Sequence, residues 1–177
     1  MAYIYFQEDG TENHNQEEVL AFLNSQEVIY EHWDITKLPA NLQEKFLLTD
    51  EEKAEILATF ATEIATISEK RGYKAQDVIA LSENTPNLET LLVNFQKEHH
   101  HTDDEVRFVV SGHGVFIIQG KDGSFFEVHL EPGDLISVPP NIRHYFTLKE
   151  DRKVVAIRIF VTTEGWVPIY ENEETTV

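Results

Sequence analysis

The chain has 177 residues, 41% of them hydrophobic, which suits one domain with a sizeable core. It has no cysteine, which excludes disulfides, iron–sulfur clusters and thiolate zinc sites, so any metal must be held by imidazole and carboxylate. Its 32 Asp and Glu against 14 Lys and Arg give a net charge of −18, which reads as solubility and removes the electrostatic drive to bind nucleic acid.

The chain opens MAYIYFQEDG, without a basic stretch leading into an apolar one, so no signal peptide is expected. No apolar run approaches the roughly 20 residues that span a bilayer, and a cytoplasmic location is expected. Residues 1–6 alternate weakly as a strand, and Asp9-Gly10 is a turn pair. Residues 16–24 suit a short helix with Val19, Leu20 and Leu23 on one face. Residues 27–34 read as a strand.

Thr49 followed three residues later by Glu52 fits a capping box, a hydroxyl at the cap and a carboxylate reaching back. Behind it, Ile56, Leu57, Phe60, Ile64 and Ile67 recur at helical spacing, and Gly72 supplies a stop. The spacing predicts a helix over about 50–70. Residues 75–82 fit a strand or a helix. After Pro86, NLETLLVNF suits one short helix.

From about residue 95 short β-type runs follow one another: VRFVVSG, GVFIIQ, SFFEVHL, DLISVP, RHYFTL and VVAIRIFV. Gly112, Gly114, Asp122-Gly123, Pro132-Gly133 and Pro139-Pro140 separate them, and Asp122-Gly123 marks a hairpin. Close, regular strands with turn signals predict a mainly β sandwich or barrel. The tail ENEETTV is polar and expected to fray. The expected organisation is one domain over 1–177. Helical decoration comes mostly from about 1–94 and a β core from about 95–170, which N-terminal strands are free to join.

The chemistry concentrates in EHHHTDDEVR, residues 98–107. Side chains alternate in a strand, so His99 and His101 share a face while His100 points the other way. Glu105 follows a polar bend and can return to that face. His144, in RHYF, opens a later strand. Three imidazoles and one carboxylate form a donor set for a single Fe(II), Ni(II), Mn(II), Co(II) or Zn(II) ion. Four protein ligands on an octahedral ion leave two adjacent positions for a chelating substrate. His14, His32, His113 and His129 lie outside this pattern and are read as structural or surface residues.

These residues resemble the cupin superfamily, whose first motif is G-x5-H-x-H-x3/4-E-x6-G. His99-x-His101-x3-Glu105-x6-Gly112 matches it, with Val93 at the leading glycine position. The second motif, G-x5-P-x-G-x2-H-x3-N, is matched by Gly133, Pro139 and His144. Asn141 stands at the second glycine and Leu148 at the final Asn. Asn tolerates left-handed backbone angles, so Asn141 can serve the same turn. The resemblance implies a cupin-type double-stranded β-helix, a jelly-roll barrel, with several helices from the N-terminal half.

The strings EHHHTDDEVRFVVSGHGVF, GDLISVPPNIRHYF and AIRIFVTTEGWVPIY look like the acireductone dioxygenase family of methionine salvage. That likeness implies one Fe(II) or Ni(II) per chain, held by His99, His101, Glu105 and His144. It implies an acireductone substrate, 1,2-dihydroxy-3-keto-5-methylthiopentene, and O2. The iron form gives formate and 4-methylthio-2-oxobutanoate; the nickel form gives formate, carbon monoxide and 3-methylthiopropanoate. Positions matching Arg107 place and neutralise the substrate anion. Phe146, on the side of His144, would cover the substrate or fill core, and Phe95 shares that ambiguity. Arg158, between apolar neighbours in AIRIF, is expected to face inward toward a partner or the substrate. Positions matching Glu98 and Asp104 are linked to metal incorporation, and their carboxylates suit acceptors for a ligand imidazole. No nucleic-acid or membrane partner is expected, and the chain is expected to be a monomer. The rival readings are another cupin metalloenzyme, a dioxygenase or an isomerase, and a non-enzymatic metal-binding cupin.

Overall fold

A computed structural model describes residues 2–82, 99–100, 105–149, 151–160 and 169–170. The elements in chain order begin with β1 (Tyr3–Phe6), β2 (Thr11–Asn13), α1 (Gln16–Ser25) and β3 (Ile29–His32). They continue with α2 (Asp50–Thr59), α3 (Ala61–Arg71), β4 (Ala75–Leu81), β5 (His99–His100), β6 (Glu105–Gly112) and β7 (Gly114–Gln119). The last are β8 (Phe125–Leu130), β9 (Asp134–Val138), β10 (His144–Thr147), β11 (Val154–Phe160) and β12 (Ile169–Tyr170). Two short 3-10 turns, Ile35–Lys37 and Ala40–Leu42, lie between β3 and α2. Among the described residues no helix is long and apolar enough to cross a membrane.

The strands form two antiparallel sheets, one ordered β12-β5-β10-β7-β8-β1-β2 and the other β3-β9-β6-β11-β4. This is the mainly β sandwich that the strand spacing predicts, of cupin type. Strands β1 and β2 extend the first sheet, and β3 and β4 form the flanks of the second. The first half of the sequence therefore contributes strands as well as helices.

Alternation explains how the sheets pack. Inner side chains such as Ile4, Phe116, Val128, Ile136, Val109 and Ala156 form the core between the sheets, joined by Val19 and Leu23 from α1. Alternate residues of the five-stranded sheet, including Val106, Phe108, Leu135 and Ile157, face outward and are covered by Ile56, Phe60, Ile64 and Ile67. Both faces of this sheet thus carry buried apolar side chains. That is why VRFVVSG and VVAIRIFV read as continuous hydrophobic runs rather than alternating ones.

The helix expected over 50–70 is two helices broken at Phe60, whose φ of −106° and ψ of 18° leave the helical range. The break seats Phe60, fully buried, against Phe108 at 4.8 Å and Trp33 at 6.3 Å between ring centroids. Burying a phenylalanine is worth about 1.5–3 kcal/mol, more than one lost helical hydrogen bond. The capping box forms as expected, with Thr49 Oγ1 accepting from the Glu52 amide and the Glu52 carboxylate accepting from the Thr49 amide. Gly72 ends α3 in the left-handed conformation at φ 78°. Residues 75–81 settle as a strand because β11 pairs with them along their whole length. Strand β2 has no apolar alternation to announce it; the Asp9-Gly10 turn folds it back onto β1. The expected helix after Pro86 and the tail ENEETTV lie outside the described residues.

Candidate metal centre

Glu105 opens β6 and His144 opens β10, so the two side chains belong to different sheets. Both point into the sandwich. Glu105 shares the face of Val109, and His144 shares that of Phe146, which packs on the inner core. They meet there: the Nε2 of His144 is in direct contact with the Glu105 carboxylate, across 39 positions of sequence. The burial is deep, with Glu105 3% exposed and His144 1%.

The turn before β10 sets the imidazole. Asn141 takes φ 64°, the left-handed angle that its place in the motif requires. Three residues on, His144 Nδ1 lies 2.7 Å from the carbonyl oxygen of Ile142, which can only accept, so Nδ1 carries the proton. Its Nε2 is then aimed at a carboxylate. A ring with acceptors at both nitrogens requires a cation, either a second proton or a metal ion. Burial opposes a charged His144, but attraction to Glu105 and the hydrogen bond that His144 donates to it outweigh burial and raise the pKa above the ordinary value. The same donors, an orienting backbone acceptor behind a neutral imidazole and a carboxylate beside it, suit a divalent ion.

Of His99 the backbone alone is described. It pairs directly opposite His144 in the antiparallel register of β5 and β10. Directly opposed residues have their Cβ atoms on one side of the sheet, about 5 Å apart. His100 takes the next position on β5, opposite Ile169 of β12. His101, Glu98, Asp104 and Phe95 lie outside the described residues.

Arg107 follows Glu105 on the same face of β6, as alternation predicts. It is 8% exposed, its Nη2 lies 3.1 Å from Glu105 Oε1, and its Nη1 donates to the Val106 carbonyl at 3.0 Å. Burial lowers its pKa to about 10; Glu105 and Asp77 oppose that shift and Arg158 adds to it. It remains a full cation at neutral pH.

Phe146 lies on the His144 side of β10, its ring 5.1 Å from that of Phe116. A Cβ at position 114 would come within 2.7 Å of the Phe146 ring, so Gly114 makes room for that phenylalanine. Arg158 faces inward on β11, as its apolar neighbours suggest, and it has a partner. Its Nε donates to Asp77 Oδ1 at 2.7 Å and its Nη2 to Asp77 Oδ2. Asp77 carries no motif that marks it in the sequence. Its importance appears only when β4 pairs with β11 and sets it directly opposite Arg158.

The other face of the seven-stranded sheet bears a groove of about 1030 Å³ lined by Tyr3, Ile117, His129, Tyr145, Thr147 and Lys149. It is not the site above. Tyr145 and Thr147 point away from the side that carries His144 and Phe146. His129 is engaged there, stacked on Tyr3 at 4.4 Å and bonded to Glu127 at 2.9 Å. His113 bonds Asp151 at 2.7 Å, and His32 bonds Asp134 at 3.0 Å. His14 bonds Glu12 at 3.0 Å. All four have the structural places that their positions outside the motifs suggest.

A family model described as the ARD/ARD' family matches residues 1–168. Acireductone dioxygenase of Bacillus pumilus is 72% identical over 166 residues, covering 94% of both chains. That of Bacillus licheniformis is 73% identical over 166 residues, covering 94% of this chain and 93% of its own. Among solved structures, acireductone dioxygenase from Bacillus anthracis with a cadmium ion in its active center is 68% identical. It superposes with a TM-score of 0.94, covering 96% of this chain and 98% of that one. A buried Glu–His contact at the head of two cupin strands, flanked by an arginine, thus occurs in a chain that belongs to the ARD/ARD' family.

Proposed function

We propose that this chain cleaves 1,2-dihydroxy-3-keto-5-methylthiopentene with O2 at a single Fe(II) or Ni(II) ion held by His99, His101, Glu105 and His144. The dioxygenase activity itself, in methionine salvage, goes with membership of the family at this identity. The observation that carries the site is the meeting of Glu105 and His144 between the sheets, with His99 in register opposite His144. Both acceptor-facing nitrogens of His144 call for a cation at that point.

When bound, the ion would supply the Lewis acidity and redox chemistry for reaction of the enediolate with O2. The protein's own groups do the rest. The Ile142 carbonyl holds the His144 tautomer and ring plane. Arg107, a buried cation beside Glu105, favours the anionic form of the substrate over the neutral one and orients it. Phe146 covers the inner side of the site and keeps water from it. Arg158 adds positive potential behind Arg107. Glu98 and Asp104 are assigned a supporting role in metal incorporation.

Elemental analysis and product analysis of one preparation test this reading. Iron-loaded protein is expected to release formate and 4-methylthio-2-oxobutanoate. Nickel-loaded protein is expected to release formate, carbon monoxide and 3-methylthiopropanoate. No oxygen uptake by metal-replete protein given the acireductone would refute it.

A further inference from the structure

Four charged side chains lie together on the inner face of the five-stranded sheet. Glu105 and Arg107 stand on β6, Arg158 on β11 and Asp77 on β4. Register sets Arg158 directly opposite Arg107 on one side and directly opposite Asp77 on the other. Two cations directly opposed across strands repel, with Cβ atoms about 5 Å apart. The two carboxylates offset this. Glu105, two positions before Arg107 on β6, draws it at 3.1 Å along that strand. Asp77, on the far side of Arg158 from Arg107, grips Arg158 side-on through both Nε and Nη2. The Phe160 ring, 5.3 Å from the Arg158 guanidinium carbon, supports Arg158 in that place. Asp77 thus pulls Arg158 away from Arg107, while Glu105 holds Arg107 along β6.

The pair is ill suited to a purely structural role. The Arg158 side chain is 26% exposed and that of Asp77 42%. Ion pairs so open to water add little to stability. Arg107 is in the opposite situation, buried and able to hold its charge and direction only if its neighbours allow it.

We propose that Asp77 is a positioning residue for the reaction: by holding Arg158 on the β4 side, it keeps that charge off Arg107, so Arg107 stays on Glu105 and is the cation presented to the substrate anion. This rests on the reading that Arg107 serves the substrate. Without Asp77, Arg158 loses its anchor, and the repulsion between the two guanidiniums displaces Arg107.

The test is a double-mutant cycle on the metal-replete enzyme. Asp77→Asn is expected to lower kcat about tenfold, with metal content and Tm near wild type, and Asp77→Glu to restore most of it. Joined to Arg158→Gln, the same Asp77→Asn change is expected to cost nothing beyond Arg158→Gln alone, since Asp77 then has no charge to hold. An equal tenfold loss in both backgrounds overturns the proposal, as does full activity of Asp77→Asn. If Asp77→Asn alone does not fold, the comparison of the double variant with Arg158→Gln still decides: equal kcat supports the proposal and a further loss overturns it. Arg107→Ala separates the two levels. Full turnover without Arg107 removes the underlying reading. A loss there with no effect at Asp77 removes only this inference.

Discussion

Glu105, Arg107 and His144 are buried between the same two sheets as Phe116, Phe126 and Val128. The apolar group gains from leaving water at about 25 cal/mol per Å² and needs only close packing. The charged group loses hydration and recovers it only through its partners: His144 on Glu105, Glu105 on Arg107, Nδ1 on the Ile142 carbonyl. The first region can lose a side chain and still be a site. The second loses its function when one member goes, because each charge is the solvation of the next.

The largest effect that separates the regions is expected from His144→Ala. It should lower metal content and turnover together by more than about a hundredfold, since even the outer partners of metal ligands are worth 10–100-fold. Metal analysis beside oxygen uptake checks it; a fully loaded, active variant would remove His144 from the ligand set. Phe126→Ala is the mirror case. It should cost about 3–5 kcal/mol in denaturant unfolding yet leave turnover per folded molecule within about twofold. A large fall in turnover at unchanged stability would show that the apolar region is not separable from the site.

Arg107→Ala sits between these extremes. Turnover should fall by about 10²–10³-fold with metal content near wild type, the signature of a group that serves the substrate rather than the ion. Metal-depleted protein from that variant would instead make Arg107 a support for Glu105. Gly114→Ala tests the border of the two regions. The added methyl lies within 2.7 Å of the Phe146 ring and forces it to move, at a cost of about 1–3 kcal/mol in stability. A drop in kcat/KM beyond that seen for Phe126→Ala would place Phe146 at the substrate; none would leave it as core.

Much of this was legible before folding was considered. The six β-type runs after residue 95, the Asp122-Gly123 hairpin, the Thr49–Glu52 cap and the Gly72 stop all rest on local rules, and each appears where the residues put it. Asn141 shows how a departure from a motif can be read chemically, since its tolerance of φ 64° preserves the turn that presents His144. The break at Phe60 was not legible. Its residues continue the helical period, and only the tertiary pocket made by Trp33 and Phe108 rewards leaving it. The choice of strand for 75–81 likewise waited on β11.

The amino-acid sequence by itself determined the chemistry on offer: no thiols, a histidine and carboxylate donor set, an arginine in phase with Glu105, and turn residues at the strand ends. These depend on residue type and on spacings of a few positions, where backbone geometry leaves little choice. Tertiary structure decided which of those groups meet. Glu105 faces His144 from another sheet, 39 positions away, and Asp77 holds Arg158 across 81. Such contacts are set by the register of distant strands, where a shift of one residue turns every side chain to the other face. No local pattern encodes that register; the burial of both faces of the five-stranded sheet does.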